Sequence, residues 1–407
     1  MHILFLTDNF FPESNASASR TYAHAKEWVK TGESVTIITC VPNFPTGKVF
    51  DGYQNKLWKE EMIDGIRVIR VWSYITINKG FFLRSLDHYS FMIMAFFTSF
   101  FVRKVDVIVA TSPQFFSACA GWMVSVAKRK PWVFEIRDIW PEAIKEVGAI
   151  QNSLVIHLLE KIEMFLYKKA NTIVSVTNSF KQILIDRGIE GNKIFVITHG
   201  VDFSIFSPIE KDQKLLAELN LEGKFVAGYI GTHGLAHGLQ TLIEAAVVLS
   251  QDRSNDDICL LFIGNGAERQ ALVELSKQYE LNNVLFLNSV PKADVSRYWS
   301  LLDVSIIHLR KVELFKSVIP SKIFDCMGMG LPILLGVPGE SADIVVNEGI
   351  GEVFEPENVE ELASRLSKLK SQERLLSSYK NATQIAARKY NRHNLAIKML
   401  KVLRLYC

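Results

Sequence analysis

The feature that most constrains this chain is an alternation that runs once and then starts again. Short apolar runs at 3–7, 34–40, 66–71, 105–110, 132–136, 172–176 and 193–197 are separated by stretches of helical periodicity, such as 20–29, 154–168 and 178–187. Six further runs follow at 225–229, 258–263, 284–287, 304–307, 332–335 and 351–354, again with helices between them. Short apolar runs bounded by turn formers read as strands buried on both faces. When such strands alternate with helices they build a parallel sheet between helical layers. Two cycles predict two α/β domains, and 407 residues are more than one ordinary core accommodates.

The segment His199–Pro208 is rich in turn formers and ends in proline. It sets the expected boundary near 208, giving domains 1–208 and 209–387. The remainder, 388–407, contains Arg388, Lys389, Arg392, Lys398, Lys401 and Arg404 and no acid, with Leu395, Met399, Val402, Leu403 and Tyr406 on an apolar side. That pattern predicts one basic amphipathic helix. A second unusual stretch, Phe91–Val102, is almost wholly apolar, with Arg84 before it and Arg103-Lys104 after it. It falls short of the ~20 residues that span a bilayer. Two readings stay open: a helix buried against the first sheet, or one dipping into a single leaflet.

Composition narrows the classes. With 22% charged and 48% hydrophobic residues the chain is globular. A mean hydropathy of +0.14 requires two large buried sheets or a membrane surface. A net charge of +3 is too small to imply nucleic-acid binding. Cys40, Cys119, Cys259, Cys326 and Cys407 are scattered without Cys-x-x-Cys spacing, so reduced thiols are expected, with no zinc site. Met1–Asp8 reads as a first strand rather than a leader.

Five segments follow the carboxyl ends of strands, where open α/β sheets bind ligands. After the first run, 9–20 brings Ser17, Ala18 and other small residues that admit a ligand to the next helix start. After 132–136, Arg137, Asp138, Trp140 and Glu142 crowd together; carboxylates accept from sugar hydroxyls and a ring stacks on C–H faces. An Arg137–Asp138 ion pair that merely closes the turn is the alternative. In the second half, Gly231–Gly238 with His237 follows one strand, and Gly264-Asn265-Gly266 follows the next; both suit a phosphate near amide donors, or are simply tight turns. Finally Arg310, Lys311, Lys316, Ser317 and Lys322 crowd a loop that ends at Ser321, a predicted N-cap, with Asp325 one turn further on. Arg310 and Lys322 are placed to hold a diphosphate and Asp325 to hold ribose hydroxyls. There is no Asp-x-Asp motif, so a metal-chelated diphosphate is not expected.

These residues resemble a family. Phe10-Phe11-Pro12, Gly200-Val201-Asp202, Gly231 onward, Phe262–Gly266 and Asp325–Pro332 are similar to the retaining glycosyltransferases of glycosyltransferase family 4. Pro42–Gly47, Arg137–Glu142 and Ile319–Lys322 resemble its bacterial surface-polysaccharide branch, which includes proteins assigned as N-acetyl-L-fucosamine transferases. The resemblance implies a GT-B architecture, two Rossmann-like domains facing across a cleft. It implies sugar transfer from a nucleotide diphosphate sugar, the co-substrate, to a polyprenyl-diphosphate-linked acceptor in O-antigen or capsule synthesis. Retention, no metal and no other cofactor are implied with it.

In this frame Asp138 and Arg137 act at the reacting sugar. Gly231, His237, Arg310, Ser317, Ser321 and Lys322 meet the diphosphate and sugar, and Asp325, Gly264 and Gly266 the nucleoside. Ser17, Ala18, Trp140 and Glu142 line the acceptor side. The chain departs from the family where Ser317 replaces the first glutamate of the Glu-x(7)-Glu motif and Asp325 the second. It also departs where Thr232 and His237 replace the usual Arg and Lys. The resemblance also implies that the helix at about 388–407 packs back on the first domain, and a peripheral contact through 81–104 and 388–407 on the inner face of the plasma membrane, in the cytoplasm, completes the expectation. A nucleotide-sugar epimerase and a non-catalytic scaffold are the rival readings.

Overall fold

The computed structural model describes residues 1–13, 15–44, 46–76, 81–139, 153–291 and 293–406. The chain divides into two compact units: Met1–His199 with Arg392–Cys407, and Gly200–Asn391.

The first unit carries strands β1 (His2–Leu6), β2 (Ser34–Cys40), β3 (Trp58–Ile63), β4 (Ile66–Val71), β5 (Val107–Thr111), β6 (Trp132–Ile136), β7 (Thr172–Ser175) and β8 (Ile194–Val196). Its helices are α1 (Ala16–Lys30), α2 (Phe81–Ser99), α3 (Phe115–Lys128), α4 (Ser153–Lys169) and α5 (Asn178–Asp186). The strands lie in the order β3-β4-β2-β1-β5-β6-β7-β8. All pairs are parallel except β3 with β4, and the seven expected apolar runs are the seven parallel strands. The edge strand β3 was not anticipated. Its sequence, Trp-Lys-Glu-Glu-Met-Ile, is never buried, and charged edges of this kind discourage pairing with another chain. It joins β4 through Asp64-Gly65, both at positive φ, the geometry that a tight hairpin demands.

The second unit carries β9 (Phe225–Ile230), β10 (Ile258–Ile263), β11 (Val284–Leu287), β12 (Val304–His308), β13 (Ile333–Gly336) and β14 (Gly351–Val353). They form an all-parallel sheet in the order β11-β10-β9-β12-β13-β14. Its helices are α6 (Gln213–Glu218), α7 (Gln240–Ser250), α8 (Arg269–Gln278), α9 (Val295–Trp299), α10 (Lys322–Met329), α11 (Glu340–Asn347), α12 (Val359–Ser371) and α13 (Glu373–Lys389). The strand order reverses between β1 and β5 in the first sheet and between β9 and β12 in the second. Ligands of doubly wound sheets bind at such reversals, beyond the carboxyl ends of the strands.

Two expectations need correction. The division falls after His199, not near 208, because Val201 and Phe206 are buried in the second unit's core. They close on Gly328, where an added Cβ would stand 2.6 Å from the Phe206 Cβ, and the Val201 amide donates to the Tyr390 carbonyl at 2.8 Å. The segment 388–407 is not one amphipathic helix either. Helix α13 ends at Lys389, and α14 (Arg392–Leu403) returns to the first unit. There Met399, Val402 and Leu403 are buried in a core cluster with Trp28, whose indole donates to the Ala396 carbonyl at 2.9 Å. The predicted membrane-facing apolar side of this segment is therefore interior.

Candidate active site

In the second unit the loops after β9 and β12 flank the strand reversal. The most enclosed cation there is Lys322, in the first turn of α10. Its ammonium donates to the Tyr229 hydroxyl at 2.8 Å and lies 4.2 Å from the centre of that ring. The Tyr229 hydroxyl in turn donates to the Thr232 carbonyl at 2.8 Å. The Lys322 stem crosses Gly231, where an added Cβ would stand 2.3 Å from the Lys322 Cε. With φ at +146°, Gly231 is the residue that lets this lysine lie flat on the turn. Burial pulls the Lys322 ammonium down to about 8, with Asp325 one turn along α10 opposing the fall.

The loop beyond Gly231 gathers further predicted residues. The His237 ring stands 5.8 Å from that of Tyr229, and burial lowers its imidazole to about 3, so it is neutral. The Arg310 amide donates to the Ala236 carbonyl at 3.0 Å, and the Arg310 Cγ lies 3.1 Å from where a Cβ on Gly238 would sit. Its guanidinium is exposed, 3.7 Å from Glu357. Lys311 and Lys316 pair with Glu355 and Glu313 on the surface, so of the expected crowd of four cations two remain at the turn, the exposed Arg310 and the inward Lys322.

Three assignments change in physical detail. Ser321 occupies the cap position of α10 with helical angles, φ −59° and ψ −23°, and its side chain makes no capping bond. Instead its carbonyl and that of Pro320 accept from Phe324 and Ile323 in a tight first turn. Ser317 is buried and its hydroxyl donates to the Leu314 carbonyl at 2.6 Å. The glycines of the second turn face the first turn: a Cβ on Gly264 would lie 1.9 Å from the Gly231 carbonyl oxygen, and one on Gly266 2.3 Å from that of His233. Close approach of two backbones is enough to require both glycines.

Three residues were missed. Tyr229 was hidden at the end of an apolar run. His308 is fully buried; its Nε2 accepts from the Glu357 amide at 3.0 Å, so Nδ1 carries the hydrogen and donates to the His237 carbonyl at 2.7 Å. His233 is also fully buried, and neither of its ring nitrogens has a partner among the described residues.

In the first unit Arg137 and Asp138 follow β6. Arg137 is 8% exposed; its Nε donates to the Ser112 carbonyl at 2.8 Å and one terminal nitrogen to the Ser17 hydroxyl at 2.6 Å. Thus Ser17, at the start of α1 beside the buried Ala18, and Arg137 do meet. No ion pair joins Arg137 to Asp138 among the described residues. Burial raises the Asp138 carboxyl to about 6, against the opposing charge of Arg137. Burial also lowers the Arg137 guanidinium to about 10, which Glu135 and Asp138 counteract. Behind them Arg20 binds Glu135 at 2.9 Å and the Ile197 and Thr198 carbonyls at 2.9 and 2.6 Å. Burial, then the charges of Arg20 and Arg137, hold His199 well below the usual histidine range. The expected partners Trp140 and Glu142 lie outside the described residues.

Comparison with known proteins places these loops in context. Residues 15–200 match the model described as "Glycosyl transferase 4-like domain", and 211–389 match "Glycosyl transferases group 1". An uncharacterized glycosyltransferase of Methanocaldococcus jannaschii is 24% identical over 301 residues, 73% of this chain and 75% of the relative. The structure of HepE from Anabaena in complex with UDP and glucose superposes with a TM-score of 0.74 at 18% identity, covering 99% of both chains. That of WaaG, a glycosyltransferase involved in lipopolysaccharide biosynthesis, gives 0.71 at 16% identity, covering 98% of this chain and 99% of the other. Matched by glycosyltransferase models in both of its parallel-sheet units, the chain belongs to the GT-B glycosyltransferases.

Proposed function

We propose that this transferase moves a sugar, in the family branch an N-acetylated deoxyhexosamine, from a nucleotide diphosphate sugar to a lipid-linked acceptor in surface-polysaccharide synthesis. The observation that carries the donor reading is Lys322, drawn over Gly231 and steadied by Tyr229 at the strand reversal. A diphosphate bound there meets the Lys322 ammonium, the Arg310 guanidinium and the start of α10 around Ser321. Ser317 and the neutral His237 face the sugar, Asp325 the ribose, and the Gly264-Asn265-Gly266 turn the nucleoside. HepE, which shares the fold, is described with UDP and glucose, and UDP-type donors are the first to test.

In the reaction the acceptor oxygen bonds to the anomeric carbon as the carbon–phosphate-oxygen bond breaks. The electron pair leaves on the diphosphate, which the two cations stabilise, and the acceptor proton passes to that leaving oxygen. This is electrostatic catalysis with retention, and it uses no metal. Asp138, ionised above about pH 6, stabilises positive charge on the sugar, while Arg137 fixes the loop through Ser17 and Ser112. Ser17 and Ala18 serve the acceptor side, to which the family resemblance also assigns Trp140 and Glu142. The WaaG fold likeness and the family branch support a lipid-linked acceptor met at a membrane surface.

The test is a screen of nucleotide sugars against lipid-linked acceptors in membrane extracts, reading labelled sugar in the lipid phase. Transfer from one donor that disappears in Lys322→Ala supports the reading. Isomerised donor without acceptor would identify an epimerase instead, and binding without turnover a scaffold.

A further inference from the structure

The sheet topology puts α2, α3 and α4 in one layer. The crossovers β4 to β5, β5 to β6 and β6 to β7 all advance in the same direction along the sheet, and right-handed crossovers of one direction share a face. Helix α1 advances the other way and, with α14, covers the opposite face. By the same rule α5, between β7 and β8, lies on this face too; the helices of the layer are parallel, so their carboxyl ends share one edge.

The outer side of this layer is apolar. Along α2, Phe91 and Ala95 are fully buried, yet Tyr89, Ile93 and Phe97 on the other side are exposed, and Phe101 beyond the helix is 68% exposed. Val126 of α3 and Leu158 of α4 continue the surface at 60% and 58% exposure. A water-facing helix carries polar residues on its outer side, so exposed apolar side chains on three neighbouring helices, linked by the ring contacts of Tyr89 with Phe116 and Trp122 with Phe165, mark a contact site. No described helix is long and apolar enough to cross a membrane, so the layer suits contact in the plane of an interface.

The charges select the partner. Arg103 and Lys104 follow α2, Arg129 and Lys130 follow α3, and Lys168 and Lys169 end α4, all exposed and all on the shared edge. Asp87 is the single acid in α2 and α3; α4 adds Glu160, beside His157, and the buried Glu163, paired with Arg187, and Asp106 stands by Lys130. Cations at helix ends also suit the helix dipole, but the dipole does not account for the aromatic surface beside them. We propose that the α2–α3–α4 layer docks on an anionic lipid surface, its side chains entering the headgroup region and its basic edge meeting lipid phosphates. The proposal rests on the lipid-linked acceptor reading. It replaces the expected contribution of 388–407, whose apolar side is interior.

Flotation of the full chain with vesicles of phosphatidylcholine, alone or mixed with phosphatidylglycerol, tests it. The expected result is flotation with the anionic vesicles that weakens as salt rises. Phe97→Ser with Phe101→Ser should weaken it about tenfold or more, and Arg103→Ala with Lys104→Ala roughly fivefold per cation removed. Nucleoside diphosphate binding, retained in both variants, shows that they fold. Absence of flotation at low salt, or flotation that neither variant weakens, overturns the proposal. So does dimerisation in the ultracentrifuge that the Phe variant abolishes, with no flotation, which would assign the face to a second copy. Transfer to a lipid-linked acceptor in detergent without vesicle binding would leave the acceptor reading standing and remove the docking face. Vesicle binding without transfer would do the reverse.

Discussion

The Lys322 ammonium is held on Tyr229 twice, by a 2.8 Å hydrogen bond to the hydroxyl and by the ring face 4.2 Å away. Tyr229 therefore orients the cation assigned to the donor diphosphate. Replacing Tyr229 with Phe keeps the ring and removes the hydroxyl. Nucleoside diphosphate binding should weaken roughly fivefold, the effect of about 1 kcal/mol for one such bond, while binding of the bare nucleoside stays within twofold or so. Calorimetric titration with both ligands checks this, and equal losses for the two would remove Tyr229 from the diphosphate site.

The same lysine sets a pH dependence. Burial places its ammonium at about 8, so it is charged below that pH and neutral above it. Affinity for the diphosphate should fall as pH rises through about 8, approaching tenfold per unit beyond it. Lys322→Arg should move the fall out of the accessible range, since a guanidinium stays charged. Dissociation constants measured across this range, with wild type and variant side by side, decide the matter.

At the other site the sign reverses. The Asp138 carboxyl is raised to about 6 by burial, so its charge is present above that pH and lost below it. Turnover should fall as pH drops through about 6, and Asp138→Asn should lower kcat by about a hundredfold or more with a flat acid limb. A variant that keeps the wild-type acid limb would show that another group titrates.

The paired glycine turns carry a stability prediction. Gly264→Ala puts a methyl group 1.9 Å from the Gly231 carbonyl oxygen, at a backbone φ of +147°. A loss above about 3 kcal/mol is expected, with donor binding lost alongside. Gly223→Ala, also at positive φ but with nothing within 4 Å, should cost only about 1 kcal/mol. Urea denaturation of the two variants compares them directly.

Met399 lies fully buried beside Leu400 and Leu403 in the first unit's core. Met399→Ala should cost about 2–5 kcal/mol in unfolding and leave vesicle flotation of the folded chain unaltered. Reduced flotation at full stability would return this segment to the membrane face.

The parallel strands were legible because most are buried on both faces and so read as apolar runs, although β8, β11 and β14 are only partly buried. The strand β3 was not, because an edge strand with the charged Lys59, Glu60 and Glu61 leaves no such trace. The loops that bear the site could be located from strand ends, yet the pairings within them could not. Nothing in sequence distance joins Lys322 to Tyr229, or Arg137 to Ser17; the crossing of strands at the sheet reversals brings them together. The family resemblance implies the return of 388–407 to the first domain, and the structure has it there, but the covering of its apolar side could not be read from its pattern. An amphipathic helix shows that one side is apolar, but not whether protein or lipid covers it.

The return of α14 to the first unit also orders how the molecule can be made. Residues 392–406 leave the ribosome after the whole of 200–391, yet Met399, Leu400 and Leu403 complete the cluster around Trp28. The amino-terminal half must then wait, its helix α1 partly uncovered, while the later half emerges and folds within it in sequence order. Domains usually mature in the order of synthesis. Here the unit begun first is finished last.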